Sequence, residues 1–139
     1  MSDTIDAKES DYLYLKESGI PGAGIGLFTS ISIYRDEIIS FFKGEILSDI
    51  EAAVRAKYNM DSYFISMPDG TIMDSNNVAC FAKYANDAGG QTPIKLKNNS
   101  TIALDDQDVV CLIAKRDIKI GEEIFCSYGK DYWKKFQRS

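Results

Sequence analysis

The sequence predicts a single, mostly β domain made of many short strands and one or two small helices. Its apolar runs are short and are closed by Gly, Pro, Asn or Asp, the punctuation of strands joined by tight turns. Only Ser48–Tyr58 carries helix start signals followed by helical apolar spacing. No repeat, linker or low-complexity block divides the 139 residues, a length that suits one domain with a real core.

Residues 1–10 are polar and acidic and read as a flexible leader ahead of a domain spanning 11–134, with a short basic tail at 135–139. Tyr12–Lys16 alternates large and apolar residues as a short strand does. Ser18–Phe28 then packs Gly19, Gly22, Gly24, Gly26 and Pro21 into a tight loop whose backbone can approach a ligand closely. Ile25, Leu27 and Phe28 start the next strand. The loop is not a dinucleotide fingerprint, because the β-branched run Thr29–Tyr34 follows where a helix would be needed. It also lacks the Lys-Ser/Thr of a P-loop.

Asp36-Glu37 is a turn, and Ile38–Phe42 reads as a buried strand. Ser48-Asp49 caps a helix through Tyr58, with Ile50, Ala53, Val54 and Tyr58 as its apolar stripe. Tyr63–Met67 and Thr71–Met73 flank Pro68-Asp69-Gly70 as a hairpin. Asp74–Asn77 is loop and Val78–Tyr84 a short helix, followed by loop over Gln91–Ser100. Thr101–Leu104 and Val109–Ala114 are strands joined by the acidic turn Asp105–Asp108. Glu122 and Glu123 read as turn residues leading into a strand at Ile124–Cys126, which delivers Tyr128, Gly129, Tyr132 and Trp133.

Composition narrows the chemistry. There is no histidine, which removes His-based triads, His metal sites and the usual neutral-pH general base. Cys80, Cys111 and Cys126 are scattered among apolar neighbours, as buried free thiols are, and do not make a zinc site. A net charge of −5 argues against nonspecific nucleic-acid binding and favours encounter with a basic peptide. No apolar run is long enough to span a membrane, and the N-terminus has no signal-peptide core, so an intracellular protein is expected.

Five segments, in order, resemble the SET-domain protein lysine methyltransferases: G-A-G-I-G-L-F at 22–28, F-F-K-G-E-I at 41–46, D-S-Y-F-I at 61–65 with I-M-D at 72–74, F-A-K-Y-A-N-D at 81–87, and G-E-E-I-F-C-S-Y-G at 121–129. The resemblance implies a β-clip of small curved sheets whose C-terminal strand threads a preceding loop as a pseudoknot, against the usual rule for chain paths. It implies S-adenosylmethionine as cofactor, held by Ala23, Gly24 and Ile25 in the glycine loop and by Tyr63, Lys83, Asn86 and Asp87, with Trp133 against the adenine. Tyr128 matches the tyrosine whose hydroxyl points to the methyl-transfer site. Phe42, Ile102 and Cys126 fall where the family lines its lysine channel, and no metal is implied.

The implied reaction is an in-line displacement on a lysine amine that has lost its proton to water. Alignment of two bound reactants can supply several kcal/mol of such a barrier, roughly 7–11 in good intramolecular models. Oxygen dipoles, the Tyr128 hydroxyl among them, would supply electrostatic stabilisation. A histone tail is the expected substrate, placing the protein in the nucleus. Two other readings stay open: a degenerate module that binds protein or cofactor without turnover, and a methyltransferase for a non-histone protein. The sequence departs from the family pattern at Asn86-Asp87 (for Asn-His), at Phe42 and Cys126 (for tyrosines), and in lacking a cysteine-rich zinc tail. The lost hydroxyl at Phe42 frees channel space and so bears on how many methyl groups are added.

Overall fold

The computed structural model describes residues 3–89 and 96–126. In chain order these form β1 (Asp3–Thr4), α1 (Glu9–Tyr12), β2 (Leu13–Glu17), β3 (Ile25–Thr29), β4 (Glu37–Phe41) and β5 (Glu45–Leu47). There follow α2 (Asp49–Lys57), β6 (Phe64–Ser66), β7 (Ile72–Asp74), a single 3-10 turn (Ala82–Tyr84), β8 (Ser100–Leu104), β9 (Val110–Ala114) and β10 (Glu123–Ile124). The strands gather into three small sheets, ordered β1-β4-β9-β8, β10-β3-β2 and β5-β7-β6. Every pairing is antiparallel except β1 with β4. The mostly β architecture expected from the short apolar runs is the one observed.

The sheets close on one core in which Leu27, Ile39, Leu112 and Ile124 are completely buried. Each comes from a different strand, so burying them joins two sheets through the hydrophobic effect. Turns fall where the sequence demands them: Gly22, Gly24, Gly70 and Gly121 all have positive φ.

Residues 3–12 are tied to β4 at three places. Asp3–Thr4 pairs in parallel with β4. The Glu9 carboxylate accepts hydrogen bonds from Ser40 Oγ (2.5 Å) and the Phe41 N–H (3.1 Å), beside a register shift in β4. Tyr12 donates its buried hydroxyl to the Ile39 carbonyl at 2.7 Å. Burial, with the charges of Glu9 and Glu37, pushes the Tyr12 hydroxyl well above its usual value, so it stays a donor.

The helix α2 forms where expected, but its apolar stripe faces outward. Ser48 and Glu51 make a reciprocal capping box. Ile50, Val54 and Tyr58 are 78%, 50% and 66% exposed, and the buried residue is Ala52. What seats the helix is ionic: Arg55 Nη1 lies 2.8 Å from the buried Asp74 carboxylate and 3.1 Å from Glu45, which pair across β7 and β5. The Arg55 hydrogen bond holds the Glu45 carboxyl below its usual range. Ion pairing therefore outranks apolar periodicity in choosing the inward face.

The helix expected over Val78–Tyr84 contracts to the 3-10 turn at Ala82–Tyr84. Lys83 Nζ donates to the carbonyls of Ser75, Asn76 and Val78 at 3.0–3.3 Å, folding the preceding loop over the turn. The Glu122-Glu123 turn also needs correction, since Glu123 is buried and opens β10. Beyond β10, Phe125 bridges Asn86 and Cys126 bridges Ser100, both in parallel, so the chain runs between two segments that precede it. The rest of the segment expected to thread a loop lies outside the described residues.

Candidate functional site

The glycine loop is closed on itself before it meets anything else. Ser18 N–H bonds the Gly24 carbonyl at 2.8 Å, and Ala23 N–H bonds Ile20 at 3.1 Å. Gly22 and Gly24 take φ of +78°, a conformation that a side chain would strain. Glu123, reaching across from β10, accepts Ser18 Oγ at 2.6 Å and the Gly19 N–H at 2.8 Å. Asn86 donates its side-chain amide to the Ile25 carbonyl at 3.1 Å, fixing the far end of the loop.

Between this loop and the segment after the 3-10 turn lies a cleft of about 390 Å³. Ala23, Ile25, Tyr63, Lys83, Asn86 and Asp87 line it together with Ser62, Tyr84 and Ala85. Six of the seven described residues assigned to the cofactor on sequence grounds thus meet around one space, although they come from three separate stretches of chain. Gly24, the seventh, shapes the loop through its φ and its carbonyl. The volume falls in the range of small-molecule sites, roughly 300–1,000 Å³.

Lys83 is a wall of this cleft. Besides its three carbonyl acceptors, its ammonium sits 5.3 Å from the ring centroids of both Tyr63 and Tyr84. The two rings are 6.5 Å apart and tilted by 58°. One fixed cation therefore holds two aromatic walls in place. Asp87 braces the next loop, with Oδ1 accepting from Gly89 N–H (2.8 Å) and Asn98 Nδ2 (3.0 Å).

The strand that leads toward Tyr128 is held by Asn99, completely buried. Its amide donates to the Glu123 carbonyl at 2.8 Å, and its oxygen accepts the Phe125 N–H at 2.9 Å. Cys126 N–H in turn bonds the Asn86 carbonyl at 2.8 Å. So Asn86 touches the glycine loop through its side chain and the C-terminal segment through its backbone. Tyr128, Tyr132 and Trp133 lie outside the described residues.

Phe42, Ile102 and Cys126 are all buried in the common core. Phe42 borders a void of about 10 Å³ with Ser62, Tyr63 and Lys83, which also line the cleft. Burial pushes the Cys126 thiol up to about 12, with the Asp87 charge adding to the effect, so it is a neutral packing group.

A larger cavity, about 720 Å³, opens between residues 4–12 and β4, with Ile5, Ile39, Phe41 and Cys80 among its walls. It shares Lys83 and Tyr84 with the cleft but none of the glycine loop. The larger cavity also has a carboxylate and rings, Glu9, Tyr12 and Phe41 among them, but the smaller cleft adds the glycine loop and the Asn86 amide, so the smaller one is the candidate site.

Sequence reasoning missed Glu123 and Asn99, the residues that hold the site, and Ser62, Tyr84 and Ala85 among those that line it. Glu123 and its partners are more than a hundred positions apart, so no local pattern signals the contact. Among the described residues no cluster of His, Cys, Asp and Glu could hold a metal ion. The family model of the SET domain matches residues 24–129, well over half of the chain. A search of curated proteins finds no match.

Proposed function

This chain belongs to the SET-domain family, a membership that suggests lysine methyltransferase-type function in general, and from it we propose a protein-lysine N-methyltransferase that uses S-adenosylmethionine. The observation that carries the reading is the convergence of Ala23, Ile25, Tyr63, Asn86 and Asp87 on one cleft. The donor set suits that cofactor. Main chain from a glycine loop, an amide, a carboxylate and an aromatic ring can meet a molecule with an amino-acid end and a flat heterocycle. S-adenosylmethionine supplies an electrophilic methyl on a positively charged sulfur.

The chain's own residues then bind and align. The loop between Ser18 and Ile25 is tied at both ends and needs little reorganisation on binding, which lowers the cost of association. Asn86 couples it to the segment leading to Tyr128. Tyr128 is assigned the hydroxyl dipole beside the transferred methyl, and Trp133 a face for the adenine. The target amine loses its proton to water, so the missing histidine is no obstacle.

A histone tail is the proposed substrate, which would place the protein in the nucleus. The net charge of −5 favours a lysine-rich peptide, and such a peptide could add as an extended strand.

The test is methyl transfer from labelled cofactor to histones and to a whole lysate, by wild type and by Tyr128→Phe. Labelled histone with wild type, and loss of most of it with the variant, is the expected result. Label on other lysate proteins alone would move the substrate class. Cofactor binding with no labelling by either form would establish the non-catalytic module instead.

A further inference from the structure

Glu123 is a buried carboxylate that the proposed reaction does not use. It is 7% exposed, and it begins β10, paired with Phe28 of β3. Both oxygens are engaged on one short segment: Oε2 by the Ser18 hydroxyl at 2.6 Å, Oε1 by the Gly19 N–H at 2.8 Å. Ser18 Oγ also accepts the Ile20 N–H at 3.1 Å, so the carboxylate organises the first turn of the loop through one hydroxyl. The neighbouring strand makes room for it. A methyl group on Gly26 would collide with Glu123 Oε2 and come within 3.0 Å of its Cδ.

A bidentate carboxylate facing a backbone N–H and a hydroxyl is a directional tie, and charge-assisted hydrogen bonds are about twice as strong as neutral ones. Here the tie is made to the stretch that presents Ala23 and Ile25 to the cleft. At its other end Glu123 is anchored by Asn99, which holds its carbonyl. The loop is thus bound to the same strand that continues to Phe125, Cys126 and the segment of Tyr128.

We propose that Glu123 is a positioning residue for the cofactor cleft. Its carboxylate holds Ser18 and Gly19 so that the glycine loop is preorganised, and the tie sets cofactor affinity rather than the rate of transfer. The proposal rests on the cleft being the S-adenosylmethionine site.

Two readouts separate the proposal from that premise. Amide hydrogen exchange over Gly19–Gly24 reads the tie with no ligand present. Faster exchange there in Glu123→Gln and Glu123→Ala, with strands of the core unchanged, is expected; equal exchange in all three forms would overturn the proposal whatever the cleft binds. Calorimetric titration with S-adenosylhomocysteine reads the consequence. Loss of one charge-assisted bond corresponds to about a tenfold weaker Kd for Glu123→Gln. Glu123→Ala and Ser18→Ala serve as graded comparisons, with Gln retaining more affinity than Ala because its oxygen can still accept from Gly19.

In turnover, the KM for S-adenosylmethionine should rise while kcat and the KM for the lysine substrate stay near wild type. A fall in kcat with unchanged cofactor KM would overturn the positioning role. Faster loop exchange in a protein whose wild type binds no S-adenosylhomocysteine would instead overturn the premise about the cleft, and with it the affinity role proposed for Glu123.

Discussion

Glu123 pairs with Phe28 of β3, and its carboxylate reaches along that strand to Gly26, filling the space that a side chain at residue 26 would need. Gly26 has an ordinary φ, so this glycine is required by crowding and not by backbone conformation. Gly26→Ala is expected to cost about 1–3 kcal/mol, the usual range for overpacking. In a Glu123→Ala background the same change should cost distinctly less. Denaturant melts of the two single variants and the double variant measure the coupling, and additive losses would contradict it.

Asn99 ties the strand that leads to Tyr128 with two buried side-chain hydrogen bonds. Asn99→Ala leaves the Phe125 N–H and the Glu123 carbonyl without their partner in a buried place. Each such loss costs roughly 1–3 kcal/mol. The variant should therefore melt well below wild type and lose protection at Phe125 in hydrogen exchange. A melting temperature within error of wild type would show that the amide is dispensable.

The outward stripe of α2 predicts unusual tolerance. Val54→Lys, at a half-exposed position, should change stability by no more than about 0.5 kcal/mol in denaturant unfolding. Ala52→Leu, at the buried position, should destabilise by about 1–3 kcal/mol through overpacking. The reverse ranking would mean that the helix seats its apolar side inward after all.

The cysteines make a prediction about alkaline pH. Burial pushes the thiols of Cys111 and Cys126 from an ordinary 9.0 up to about 12, with help from Asp105 and Asp87 respectively. In the unfolded chain they lose protons near 9.0; in the folded chain they hold them to about 12. The stability this represents is whole below 9.0 and is lost as pH rises toward 12. Chemical unfolding across that interval should show a shallower decline for Cys111→Ala than for wild type. Identical slopes would count against it.

The sequence made most of the strands legible because their apolar runs are short and bounded by glycine, asparagine and aspartate turns. It also made the cleft legible as three separate segments, since the residues that line it sit inside local motifs. The ties between those segments were not legible. Glu123 to Ser18, Asn86 to Ile25 and Asn99 to Phe125 each join positions far apart in the chain, and each uses a residue type common in turns. The face of α2 differs from the expected one for a related reason: Arg55 pairs with Asp74 nineteen positions away, a contact that no local pattern signals.

A calorimetric titration of the wild-type chain with S-adenosylmethionine and S-adenosylhomocysteine, repeated on Asn86→Ala, tests the cleft most directly. Removing the amide frees the Ile25 end of the loop. One saturable site in wild type, and affinity about tenfold weaker in the variant for one lost hydrogen bond, is the predicted result. Wild-type protein that takes up neither molecule, or a variant that binds both as well as wild type, would contradict it.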